Sequence, residues 1–97
     1  MQTYISLMKA TDQGIKKMKD FSKELKEGMK PVEALGGKLI SFYTTMGEYD
    51  YIAVVEYPND EAAMLAAIAV GSIGNVRTTT LKAFHMKEFE KLVKKLP

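Results

Sequence analysis

A chain of 97 residues is long enough to close one core and too short to divide into two domains. With 46% apolar and 27% charged residues it has the composition of an ordinary globular protein, which excludes disorder, a collagen-like repeat and a disulfide scaffold. The 14 basic and 12 acidic residues leave a net charge of +2, far from the strongly basic balance of a nucleic-acid surface, and the absence of cysteine excludes disulfides, thiolate metal ligands and a cysteine nucleophile.

Thr3-Tyr4-Ile5-Ser6-Leu7-Met8 is rich in β-branched, aromatic and large apolar residues and predicts a first strand; Thr11-Asp12 behind it can cap a helix. From Ile15 the apolar residues recur at 15, 18, 21, 25, 29, 32 and 35, one helical stripe with lysines and glutamates opposite. Gly28 loosens that helix and Pro31 has no N–H for the carbonyl four residues back, which predicts a kink or break there. Ser22 can cap a fresh start, so a short helix followed by a longer one is as compatible with the pattern as a single rod. Gly36-Gly37 ends it. Lys38–Thr45 and Tyr49–Tyr57 read as two strands of a hairpin joined through Met46-Gly47-Glu48, where glycine can take a positive φ. After Pro58, Asn59 or Asp60 can cap a helix that runs to about Gly71. Its stretch Ala62–Val70 has almost no polar face, which predicts burial on all sides, and no window approaches the roughly 18 uninterrupted apolar residues of a membrane span. Asn75–Phe84 reads as a fourth strand, entered through Gly71 or Gly74 as a left-handed residue. Met86–Leu96 reads as an amphipathic tail helix with Phe89, Leu92, Val93 and Leu96 on its apolar side.

In this βαββαβ order the right-handed connections place both crossover helices on one face of a four-stranded sheet and leave the other bare. With the hairpin turn at Gly47-Glu48, Phe42 and Thr44 share a face with Tyr51, Ala53 and Val55, while Tyr43 shares the other with Ile52 and Val54. Neither face is polar. Soluble monomers seldom expose so large an apolar patch, and burying roughly 500 Å² per subunit at about 25 cal/mol/Å² is on the order of 12 kcal/mol before ordering costs. The expectation is a homodimer or higher homo-oligomer joined sheet to sheet, with Phe42, Tyr51, Ala53 and Val55 at the interface.

The hairpin Gly47-Glu48-Tyr49-Asp50, preceded by Phe42-Tyr43-Thr44-Thr45-Met46 and followed by Pro58-Asn59-Asp60-Glu61-Ala62-Ala63, resembles the signature of GYD-domain proteins. The stretch from Gly71-Ser72-Ile73-Gly74-Asn75 to Phe84 is similar to a second hallmark of that family, and Thr11-Asp12-Gln13-Gly14-Ile15 to its start. Residues 1–97 thus read as a single GYD-like domain. The resemblance implies an α+β fold, a ferredoxin-like βαββαβ sandwich with a C-terminal helix, in the dimeric α/β-barrel superfamily where two sheets pack face to face. It implies no settled activity. The chain departs from the family's regular helix at Met29-Lys30-Pro31.

Asp50, Glu56, Arg77 and Thr79 are polar residues set within strands, and they need partners if buried. One reading is a structural ion pair. The other is a polar patch lining a cavity between sheet and helices, with Tyr43 or Tyr4 as an orienting hydroxyl. On that reading Arg77, brought near Asp50 by neighbouring strands, offers a planar donor fork to a small anionic or carbonyl-containing molecule. His85, the only histidine, ends the fourth strand. It reads as a surface residue near the tail helix or, as in some barrel relatives, as a haem ligand or proton shuttle. One histidine without cysteine cannot assemble a zinc site with the usual ligands, so neither a metal nor a cofactor is expected. Gly71-Ser72-Ile73-Gly74 follows a helix, whereas a phosphate-cradling loop precedes one.

These features point to an oligomer that binds a small organic molecule, with enzymatic activity left open. Two alternatives stand beside it: a structural or regulatory oligomer without a ligand, and a nucleic-acid module, since RNA-recognition domains share the βαββαβ order. Against the last, the third strand lacks their basic, glycine and aromatic motif. Without a basic leader followed by a long apolar region, the expected location is the cytoplasm and not a membrane.

Overall fold

β1 (Gln2–Ala10) turns Tyr4, Ser6 and Met8 to one face and Ile5 and Leu7 to the other, and the sheet is built around it. In the computed structural model, which covers all 97 residues, β1 pairs antiparallel with both β3 (Tyr51–Tyr57) and β4 (Val76–Ala83). β2 (Lys38–Thr44) joins the outer edge of β3, giving the order β2-β3-β1-β4. α2 (Phe21–Ala34) and α3 (Asp60–Ile73) are the crossovers. Both lie on the same face, and the fold is the α+β ferredoxin-like sandwich.

The first helical stripe is not one rod. Thr11 accepts a hydrogen bond from the Gly14 amide at 3.1 Å to start α1 (Asp12–Lys16), a 3₁₀ turn follows over Met18–Asp20, and α2 opens at Phe21, with Ser22 playing no capping part. The expected break at Gly28 and Pro31 does not occur, and α2 runs through both. The fixed φ of proline suits a helix, and the carbonyl that loses its partner belongs to the exposed Glu27, where water can replace the missing N–H.

α3 is capped by Asn59, whose Oδ1 accepts from the Ala62 amide at 2.9 Å, and closed by Gly74 at φ 92°. It extends past Gly71. Burial on all sides is not what α3 attains. Ala62, Ala63 and Ala66 are buried, while Met64, Leu65 and Ile68 are 63, 52 and 59% exposed. The reason is that α4 (Met86–Val93) leaves the body instead of folding back over α3: every residue from Phe84 to Pro97 is exposed.

The hairpin register is the one the alternation implies, Phe42 opposite Ala53 and Tyr43 opposite Ile52, with an irregularity between Leu39 and Ser41. The interface assignment is corrected. Tyr51, Ala53 and Val55 form the core with Tyr4, Met8 and Val32 beneath α2 and α3, and Phe42 packs against them. They face the protein's own helices and not a second subunit. Because both faces are apolar, alternation separates them without saying which one the helices choose. The uncovered face carries Ile5, Leu7, Ile52, Val54, Tyr43 and Leu81.

The body is two layers deep, and the chain measures 52 × 30 × 17 Å. Its radius of gyration, 14.7 Å, exceeds the about 12.5 Å of a compact chain this long, as the projecting α4 requires. Eleven residues are buried (11/97). So thin a core leaves many large apolar side chains exposed.

Candidate ligand cavity

Small residues meet between the two layers. Ser6 and Ala53 stand side by side on β1 and β3, and above them α3 presents Ala63, Ala66 and Ala67. Small side chains facing small ones do not fill the space that a sheet and a helix leave between them. The result is a cavity of about 140 Å³, in which 19 of 27 lining residues are hydrophobic.

One wall is aromatic. Phe21, Phe42 and Tyr51 form a triangle with ring centroids 5.7–6.0 Å apart, and the Tyr51 hydroxyl lies 3.3 Å from Met18 Sδ. Tyr4 and Tyr57 meet edge to face at 5.6 Å on the opposite side. Burial pushes the Tyr51 and Tyr57 hydroxyls up from their ordinary pKa, with the nearby Asp50 charge adding to the effect at Tyr51. At one end Lys17 Nζ stands 4.0 Å from Glu24 Oε1, and Asn75 Nδ2 donates to Glu24 Oε2 at 2.9 Å.

Of the ligand-binding candidates read from the sequence, only Tyr4 lines this cavity, together with Phe42, Tyr51, Ala53 and Val55, which the sequence had assigned to an interface. Its ring is buried, 4% exposed, and its hydroxyl donates to Asp60 at the start of α3, where Lys82 Nζ also binds the same oxygen at 3.0 Å. Burial first, then the hydrogen bond and charge of Asp60, push the Tyr4 phenol up to about 12. The bonds from Tyr4 and Lys82 hold Asp60 below the usual carboxylate range.

Asp50 and Arg77 are not brought together. Asp50 Oδ2 accepts from the Ala10 amide at 2.8 Å, and its own amide donates to Met8 O at 2.9 Å, so it fastens the hairpin to the end of β1. Around it Lys9 lies 3.8 Å from Glu48 and over the Tyr49 ring at 5.4 Å. The Gly47-Glu48-Tyr49-Asp50 hairpin therefore wraps a strand end. Arg77 is exposed, paired across the sheet with Lys9. Tyr43 is 60% exposed on the uncovered face. His85 Nε2 lies 3.1 Å from Thr3 Oγ1, and its amide donates to Glu88 at 3.2 Å to start α4. No group of three or more His, Asp or Glu side chains is placed to hold a metal ion.

What sequence inspection missed are the small and hydroxyl-bearing liners, Ser6, Thr78 and Thr80. The signal was present: a serine between Tyr4 and Met8 on one face of β1, opposite a helix of alanines.

The family described as GYD domain matches residues 4–93. The chain belongs to the GYD family. This GYD chain is 31% identical over 89 residues, 91% of its own length and 94% of the relative's, to a protein of Thermus thermophilus named glutamine synthetase and cystathionine beta-lyase binding protein. Its fold is similar to the crystal structure of the leucine response regulatory protein of Mycobacterium tuberculosis, with a TM-score of 0.58 at 15% identity over 88% of this chain. The GYD chain spans about half, 51%, of that protein.

Proposed function

We propose that this GYD protein is an oligomeric binding protein that holds a small organic molecule in the cavity between sheet and helices. The observation that carries this is the open space itself, about 140 Å³ between the layers of a chain with a core of only 10 buried residues. A concave, mostly apolar pocket leaves its lining without packing partners until something fills it, so an occupant explains the space better than packing does. The uncovered face of the sheet supports a homodimer joined through Ile5, Leu7, Ile52 and Val54, the face opposite the one the sequence favoured.

A thermal-shift screen of small organic molecules on the native protein and on Ala67→Leu, which puts a branched side chain into the space, tests the reading. Stabilisation that disappears in a folded Ala67→Leu supports it. Silence across a broad screen, or equal shifts in both proteins, overturns it.

A second reading, an adaptor that docks on an enzyme, is favoured by the name of the Thermus relative and by the exposed apolar residues Met86, Phe89, Leu92 and Val93 of α4. Gel filtration with purified glutamine synthetase separates the two. Co-elution abolished by Phe89→Asp favours the adaptor, and separate elution removes glutamine synthetase as the partner.

A further inference from the structure

We infer that the cavity selects an uncharged molecule about one ring in size, held by a hydrogen-bonding edge that faces Ser6, Thr78 and Thr80. This rests on the reading of the cavity as a ligand site and adds the chemistry of the ligand.

The placement comes from the sheet. Ser6 is the cross-strand partner of Thr80, and Met8 that of Thr78, so the three hydroxyls occupy adjacent helix-facing positions of β1 and β4. All three line the cavity. No side-chain hydrogen bond engages them within the chain, whereas the cavity hydroxyls of Tyr4 and Tyr51 have partners and that of Tyr57 has none. Ser6 and Thr78 are half-buried and Thr80 is exposed, and no buried side-chain oxygen is left without a partner, so these hydroxyls are accessible and not sealed in the core. A hydroxyl both donates and accepts, which suits a carbonyl or hydroxyl group on the ligand.

Charge decides against an anion. The ionisable side chains on the lining are Lys17, Glu24 and three tyrosines, Tyr4, Tyr51 and Tyr57. Lys17 is already answered by Glu24 at 4.0 Å, and Arg77 lies outside the lining. A carboxylate entering this space would give up its water without meeting a free cation, and an ion treated so is strongly disfavoured. A neutral ring gives up little. Size points the same way, since a cavity of about 150 Å³ lined by apolar side chains takes up benzene.

Four probes of similar size test this by titration calorimetry on the full chain: phenol, acetophenone, toluene and benzoate. Phenol and acetophenone should bind about fivefold or more tightly than toluene, as a net hydrogen bond allows, and benzoate should bind at least tenfold more weakly than phenol. In Thr80→Val, close in shape to the native residue, and in Ser6→Ala, the advantage over toluene should shrink while toluene binding persists. Benzoate binding as tightly as phenol, or an unchanged phenol-to-toluene ratio in both variants, overturns the ligand class. If those probes still lose their binding in Ala67→Leu, the cavity remains the site and only its chemistry is wrong. If no probe binds, or Ala67→Leu binds all of them as the native chain does, the site itself falls.

Discussion

Tyr4 links the core of the molecule to its rim, because its ring is buried while its hydroxyl reaches the exposed Asp60. The pH dependence follows from both groups. Tyr4 keeps its proton up to about 12 in the folded chain, whereas an unfolded tyrosine releases it near 10. Its contribution to stability is therefore complete below about 10 and is lost as the pH rises toward about 12. Asp60 works in the opposite sense. Held below the usual carboxylate range by Tyr4 and Lys82, it contributes above that range and loses its contribution as the pH falls through its lowered pKa. Water reaches the Asp60 carboxylate, so both slopes are shallow. Urea unfolding across pH should show Tyr4→Phe less stable near neutrality by about 0.5–1.5 kcal/mol, with gentler declines at both ends. The remaining alkaline decline belongs to Tyr51 and Tyr57, whose hydroxyls are also pushed up. Profiles parallel to the native one would separate Tyr4 from the pH response.

Among the elements, α1 has the closest seat. A Cβ on Gly14 would stand 2.1 Å from the Asn75 carbonyl oxygen, the same oxygen that accepts from the Thr11 amide at 3.0 Å. The turn carrying Gly74 and Asn75 is also tied to Thr11 Oγ1 at 2.5 Å and to Gln13 Nε2 at 2.9 Å. Gly14→Ala must push this turn away from α1, and Asn75 and Val76 on the cavity wall move with it. A loss of about 1–3 kcal/mol is expected in denaturant unfolding. Gly28→Ala should do the reverse, because nothing lies within 4 Å of its Cβ position and α2 is helical there; a gain of about 0.5–1 kcal/mol is expected. Equal effects of the two changes would contradict the packing of α1 on the turn. The Thr11-Asp12 cap was legible in the sequence as a helix start, since capping is a local property. The backbone approach that makes Gly14 necessary was not, because residues 14 and 75 meet only once the sheet has formed. The lining of the cavity was hidden for the same reason: Ser6 and Ala67 are unremarkable until a crossover lays one layer over the other.

At the scale of the whole molecule, the alternation on β3 was legible residue by residue, and the choice of face was not. Val54 and Val55 are chemically identical neighbours with opposite fates. Val55 is 6% exposed under the helices, whereas Val54 points to the uncovered face beside Ile5 of β1. A carboxylate at Val55 would sit in the core without a partner, and its expected cost, more than about 4 kcal/mol, is enough to unfold so thin a domain. A carboxylate at Val54 meets water in the single chain and is expelled only if a second sheet covers it. Val54→Asp should therefore keep its circular dichroism spectrum and fall to monomer mass in light scattering, while Val55→Asp should lose the spectrum itself. If the native protein is a monomer at micromolar concentration, or Val54→Asp retains the native mass, then the sheet-to-sheet dimer is wrong. The apolar face formed by Ile5, Leu7, Ile52 and Val54 would then need another partner.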